Sequence, residues 1–297
     1  MLTIFSTAKP FKGHFGVIQR NAVTSWTLLR PKPEIILLGK EDGTAEVCRE
    51  LSLRHVPDVD CNEYGTPLVS DLFKKAQDLA SYSLLCYVNA DIILMDDFLC
   101  AVEQVGRWGK PFLMIGLRWD LDIQEHLDFT RHDWESQLRE LAMRSGRLES
   151  GIDYFVFPKG LLTAMPPLTV GRGGWDNWLV WHATHLKAKI VNATPSIVAV
   201  HQRHDYSHIP IAVRKDTELP RNDRESENNR ELMRDWIRSY HYPFAYARYT
   251  LTPHGIRRNW VRPIYISLKT FWDQSLYYPL LAATRPLRHR FGIRTRH

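Results

Sequence analysis

Cysteine is scarce in this sequence, and long apolar runs are missing. The four cysteines, Cys48, Cys61, Cys86 and Cys100, contain no C-x-x-C pair. That excludes a disulfide framework and leaves no thiolate spacing for structural zinc, so reduced, mostly buried thiols are expected. No stretch of about 18 uncharged apolar residues occurs, so no membrane-spanning helix is expected. The opening run Met1-Leu2-Thr3-Ile4-Phe5-Ser6 has no basic flank and is too brief for a signal peptide. The expected compartment is therefore the cytosol. Collagen-like, coiled-coil and disordered compositions are absent too, since 44% of the residues are hydrophobic and 24% charged. The 297 residues suffice for one large α/β domain or two small ones.

The net charge of +6 is unevenly spread. Residues 253–297 hold nine Lys and Arg against the single acid Asp273, a net +8. The preceding residues hold 30 basic and 32 acidic groups, a net −2. A basic body is not implied, and no nucleic-acid partner is expected. Ile264, Leu268, Phe271, Trp272 and Leu276 recur at helical spacing within the tail. A basic amphipathic stretch of that kind suits an anionic membrane surface, or a helix packed on the body with a solvated end.

Apolar runs at 2–6, 34–39, 83–88 and 112–116 read as buried strands, separated by helical rhythms over 16–29, 44–53 and 68–80. Strands alternating with helices imply βαβ units and a largely parallel sheet. Helices are also expected over 131–147 and 175–184, and strands over 152–157 and 197–200. Residues 214–231 are nearly all polar and read as a solvated loop. Three segments follow: a catalytic domain over 1–212, a polar loop and helical segment over 213–252, and the basic extension over 253–297.

In parallel sheets, ligands gather outside the carboxyl ends of the strands. Thr7 to Pro10, Glu41 to Gly43 and Asn89 to Asp91 all lie at such ends. A carboxylate like Asp91 at the end of an apolar strand is costly to bury without a partner, and divalent metals take such oxygen ligands. The alternative for Asp91 is a turn cap. Asp96 and Asp97 read as a helix N-cap. Gly173-Gly174-Trp175-Asp176 sets two glycines before a helix, so backbone can approach a ligand and Asp176 falls in the first turn. There it is either a cap or a base facing a substrate hydroxyl. His201, His204 and His208 follow a buried strand, and neutral imidazole is a good metal ligand.

These elements together resemble the GT-A class of nucleotide-diphosphate-sugar glycosyltransferases. The class has a Rossmann-like sheet in which a strand ends in Asp-x-Asp holding Mn2+ or Mg2+. Tyr87-Val88-Asn89-Ala90-Asp91 matches that element, except that Asn89 replaces the first aspartate. Gly173-Gly174-Trp175-Asp176 is similar to the Gly-Gly-Glu-Asp run of Golgi galactosyltransferases, whose aspartate is the base, and the later histidine is similar to their third metal ligand.

The resemblance implies a mostly parallel α/β sheet flanked by helices, and a metal on Asp91 with His201 or His204. It implies nucleotide contacts from Thr7, Ala8, Lys9, Glu41 or Asp42, Asn89 and Asp71, for which a place on the helix surface is the alternative, and a phosphate contact from Arg118, for which a salt bridge to Asp120 is the alternative. A UDP-sugar donor, a glycan or lipid-linked acceptor, and inversion with Asp176 as base complete the expectation. Trp175, Trp178 and Trp181 could stack on a sugar, although packing suits at least two of them better. A nucleotidyltransferase on a similar fold is disfavoured because Thr7-Ala8-Lys9-Pro10 lacks a glycine-rich phosphate loop. A non-catalytic binding protein working through its basic tail is the other alternative.

Overall fold

A computed structural model describes residues 1–204, 224–235, 244 and 246–259. The extension beyond 259, the segment 205–223 and His208 lie outside the described residues.

The chain opens as a βαβ unit: β1 (Leu2–Thr7), α1 (Gly13–Leu28) and β2 (Glu34–Leu38), with β1 and β2 parallel in register Ile4 to Ile35. Side chains alternate across each strand. Leu2, Ile4, Ile35 and Leu37 pack on one face, whereas Phe5, Ile36 and Leu38 pack on the other. Both faces are therefore covered, and this is why these strands read as mostly apolar runs without a strict alternation. Helix α2 (Thr44–Glu50), strand β3 (Arg54–Val56) and helix α3 (Val69–Leu79) lead into β4 (Leu84–Val88), which pairs parallel with β1.

After β4 the chain makes a tight turn into β5 (Ile92–Ile93), then α4 (Asp96–Gly106). Met95 is the N-cap residue of α4; Asp96 and Asp97 lie in its first turn. The capping expectation fails because Asp97 bonds elsewhere, to Arg139 and to the backbone N–H of Val198. Strand β6 (Phe112–Leu121) is followed by α5 (Trp134–Ser145), β7 (Arg147–Pro158), α6 (Trp175–His185), β8 (Lys189–Asn192) and β9 (Ala199–Gln202). Helix α7 (Arg224–Leu232) and the hairpin of β10 (Tyr249–Thr252) and β11 (Gly255–Arg258) complete the described elements.

The sheet runs β11-β10-β8-β6-β7-β4-β1-β2-β3, with β9 pairing β5 and β6. Most pairings are parallel, but β7 runs antiparallel between β4 and β6. A register shift interrupts its pairing with β6 around Leu117. Gly116 sits at this irregularity, where an added Cβ would lie 1.8 Å from the Tyr154 hydroxyl. The β10–β11 hairpin pairs with β8, so the described part of the basic stretch from 253 belongs to the sheet.

Two of the four free thiols, Cys61 and Cys100, are exposed, which corrects the expectation of mostly buried ones. The polar stretch before 232 is not all solvated loop. Helix α7 buries Glu225, Ser226 and Asn229, each a polar group whose burial a hydrogen bond can offset. Among the described residues, no helix is long and apolar enough to cross a membrane.

Candidate active site

A cleft of about 450 Å³ opens at the carboxyl ends of β1 and β4, within the range of small-ligand sites. Thr7, Ala8 and Lys9 line it from the end of β1, Asn89 and Asp91 from the end of β4, and Asp176 from the start of α6. His201 and His204 line it from β9 and the residues after it. These eight sequence candidates, scattered over nearly 200 residues of chain, thus share one cavity with Arg118 and Glu41.

The Asp91 turn is pinned from below. Gln202, fully buried, donates from Nε2 to the carbonyls of Ile18 (2.7 Å) and Asp91 (3.1 Å), and Asn21 donates to its Oε1 at 2.9 Å. Strand register supplies the histidine: β9 sets His201 beside Ile92 on one side and beside Asp120 of β6 on the other. His201 Nε2 lies 3.6 Å and His204 Nε2 3.2 Å from Asp91 Oδ2. One ligand atom from each of the three residues falls within 4.8 Å of the other two. Asp91 Oδ1 is buried with no hydrogen-bond partner among the described residues. A carboxylate whose Oδ2 faces two imidazoles while its buried Oδ1 has no partner among the described residues is a donor set that fits a divalent cation.

The electrostatics follow from this crowding. Burial pushes the Asp91 carboxyl up, but His201 and His204 outweigh it and hold it well below the usual carboxylate range. Burial lowers the His201 pKa, but Asp91 and Asp120 outweigh it and push the imidazole up to about 9. Burial likewise pushes Asp120 up, and His201 with Arg118 brings it below its ordinary value. Asp176 moves the other way. Its burial in the first turn of α6 raises it to about 6, against a backbone hydrogen bond from Asn177.

Asp176 owes its position to Gly174, whose φ of 95° lies in the left-handed region that favours glycine. The loop before it is clasped by α7. Glu225 accepts from Arg172 Nε (2.7 Å) and Asn62 Nδ2 (2.6 Å), while Asn229 exchanges bonds of 2.8 and 3.0 Å with the Thr169 backbone. Trp175 and Trp178 are buried in the core, with only Trp175 of the three tryptophans lining the cleft.

Three candidates sit differently from the expectation. Asp42 pairs with Lys12 in solvent and does not line the cleft. Asp71 accepts from the Asp60 N–H at 2.7 Å and from Lys75 at 2.6 Å, also outside it. Glu41, the alternative to Asp42, does line it. Arg118 reaches the cleft, but its guanidinium is held by Asp120 (Nε, 3.0 Å) and Asp153 (Nη1, 2.6 Å). Sequence reasoning missed Asp153, which lines the cleft and accepts from Asn89 Nδ2 at 2.6 Å. It also gave Asp120 no task of its own. Neither residue carries a motif; only strand register brings them in.

A solved structure of GalNAc-T7 with UDP, GalNAc and Mn2+ matches 84% of this chain and 50% of that one, with a TM-score of 0.52 at 12% identity. The fold is GT-A. A GT-A mannosyltransferase from Pyrobaculum calidifontis, in complex with GDP-Man and Mn2+, matches 82% of this chain and 77% of its own (TM-score 0.46, 13% identity). Glucosyl-3-phosphoglycerate synthase from Mycobacterium tuberculosis, in complex with Mn2+, UDP and its product, matches 69% and 73% (TM-score 0.43, 15% identity). No protein family and no curated protein matches the chain by sequence. In the GT-A sheet of this chain, the cleft occupies the strand-end position where such sheets bind ligands.

Proposed function

We propose that this chain is a divalent-metal-dependent glycosyltransferase that moves a sugar from a nucleotide-diphosphate donor to an acceptor hydroxyl. The observation that carries the reading is the convergence, in one strand-end cleft, of an Asp91-His201-His204 donor set with a separate carboxylate, Asp176. A UDP-sugar is the donor the reading favours, in keeping with the UDP named for the GalNAc-T7 structure.

Asp91, His201 and His204 would hold Mn2+ or Mg2+, and two imidazoles among three donors favour Mn2+ over the oxygen-preferring Mg2+. Such an ion, when bound, offsets negative charge on the departing nucleotide diphosphate. Thr7, Ala8 and Lys9 line the same side of the cleft and would position the nucleotide. Asn89, with Nδ2 committed to Asp153, has its Oδ1 for a ribose or sugar hydroxyl. Asp176, at a pKa of about 6, is largely ionised at neutral pH and still basic enough to accept a proton from the attacking hydroxyl. A base on the acceptor side predicts inversion at the anomeric carbon. The acceptor is read as a glycan or glycolipid, and the basic extension would bring the chain to an anionic membrane surface on its cytoplasmic face.

A thermal-shift panel of nucleotides and nucleotide sugars, with and without Mn2+, tests the reading on wild type and Asp91→Ala. A ligand that binds only the native state raises the melting temperature by mass action. The expected result is stabilisation by one nucleotide diphosphate that needs Mn2+ and vanishes in Asp91→Ala. No shift with any nucleotide would overturn the glycosyltransferase reading.

A further inference from the structure

Arg118, Asp120 and Asp153 form a line of charge, buried at Asp153 and partly buried at the other two, to which the proposed reaction assigns no step. Arg118 joins Asp120 to Asp153, Asp153 accepts from Asn89, and Asp120 meets His201. The line therefore starts at one side of the Asn89–Asp91 turn and returns to the other.

We propose that Asp120, held by Arg118, is a positioning residue that locks the His201 ring with Nε2 toward Asp91. The proposal rests on the metal reading of that site. Asp120 and His201 are direct cross-strand partners on β6 and β9, which sets their side chains on one face. His201 Nδ1 lies 3.0 Å from Asp120 Oδ1. A carboxylate can only accept there, so Nδ1 carries the proton and Nε2 is the atom left for a cation. A second partner that orients a metal-binding histidine in this way commonly changes metal affinity by about 10- to 100-fold.

Asp120 does not hold this pose alone. Arg118 Nε donates to the same Oδ1 at 3.0 Å, and its Nη1 donates to Asp153 at 2.6 Å. The guanidinium lies over Gly151 of β7, where an added Cβ would come within 2.9 Å of Arg118 Cζ. A strand position without a side chain thus makes room for the bridge. Arg118 serving a phosphate instead would have to give up its ion pairs with both Asp120 and Asp153, which is costly.

The test uses Asp120→Ala and Arg118→Gln in the full chain, with metal-free melting curves showing that both variants fold. Mn2+ affinity by isothermal titration should weaken about 10- to 100-fold in both. In metal-free protein, the nitrogen-bound Nδ1 proton of His201 should be visible by NMR in wild type and lost to exchange in Asp120→Ala. Mn2+ affinity within about threefold of wild type in Asp120→Ala, in a wild type that binds Mn2+, overturns the proposal. Weakened UDP binding without metal in Arg118→Gln, with Mn2+ affinity intact, also overturns it and makes Arg118 a phosphate contact. A wild type that binds no Mn2+ defeats the metal reading instead. The Nδ1 proton then decides alone: its persistence in Asp120→Ala overturns the positioning role, and its loss supports it.

Discussion

Metal affinity should depend steeply on pH, because the imidazole that would bind the cation is also the partner of Asp91. His201 must shed its proton to offer Nε2. Burial lowers its pKa, but Asp91 and Asp120 raise it to about 9. At pH 7 only about one molecule in a hundred then has a neutral His201, so binding costs about 3 kcal/mol relative to a free ring. The apparent Mn2+ dissociation constant should fall about tenfold per pH unit from about pH 6.5 to 8.5 and level off above about 9. Isothermal titration in buffers of different ionisation heat should find about one proton released per metal bound.

The stability of the metal-free protein should move the opposite way. His201 has a folded pKa of about 9, above its ordinary 6.5. The stability from its pairing with Asp91 is therefore complete below about pH 6.5 and lost as pH rises through about 9. Asp91, held well below its ordinary value, gives stability that is present at neutral pH and lost on acidification below that ordinary value. Mn2+ should consequently raise the melting temperature more at the alkaline end. An affinity flat across this range, with no proton released, would refute the assignment of His201 as a ligand.

Asp176→Asn should lower turnover by about 100- to 10,000-fold while leaving the nucleotide-dependent melting shift intact; loss of the shift as well would make Asp176 a structural cap. Gly116→Ala should lower the urea midpoint by an amount equivalent to about 1–3 kcal/mol, because the new Cβ would fall 1.8 Å from the buried Tyr154 hydroxyl; an unchanged midpoint would mean that β6 and β7 can part there at no cost.

The strands that build the floor of the cleft were legible because burial on both faces leaves a plain trace. β1, β2 and β4 are short, mostly apolar runs with residues buried toward both faces, and Asp91 interrupts the polarity pattern just after β4 ends. The glycine pair before Asp176 was legible for the same local reason, since Gly174 needs a left-handed φ. The short strands toward one end of the sheet were not. β8, β10 and β11 have four residues each, too few for a period to show. Helix α7 has no apolar stripe, and its hold on the Arg172 side chain and the Thr169 backbone comes from Glu225 and Asn229, a tertiary cause that helical periodicity cannot carry. For Asp71, which lies outside the cleft, a signal for the helix-surface alternative is present: Lys75 follows it by four residues, the spacing of an ion pair on one helix face.

The least legible part of the site also accounts for its departure from Asp-x-Asp. Asn89 and Asp153 face each other because β7 inserts antiparallel beside β4 in register Val88 to Tyr154. Nothing in the order of residues announces that insertion. Once it exists, Asp153 Oδ1 lies 2.6 Å from the Asn89 side chain, and a carboxylate at position 89 would bring two like charges together in a buried place. An amide at 89 turns that repulsion into a hydrogen bond. The carboxylate missing from the end of β4 is thus matched by one from β7, and Arg118 offsets its charge. Asparagine at 89 and aspartate at 153 are two halves of one arrangement, visible only when the strands are side by side.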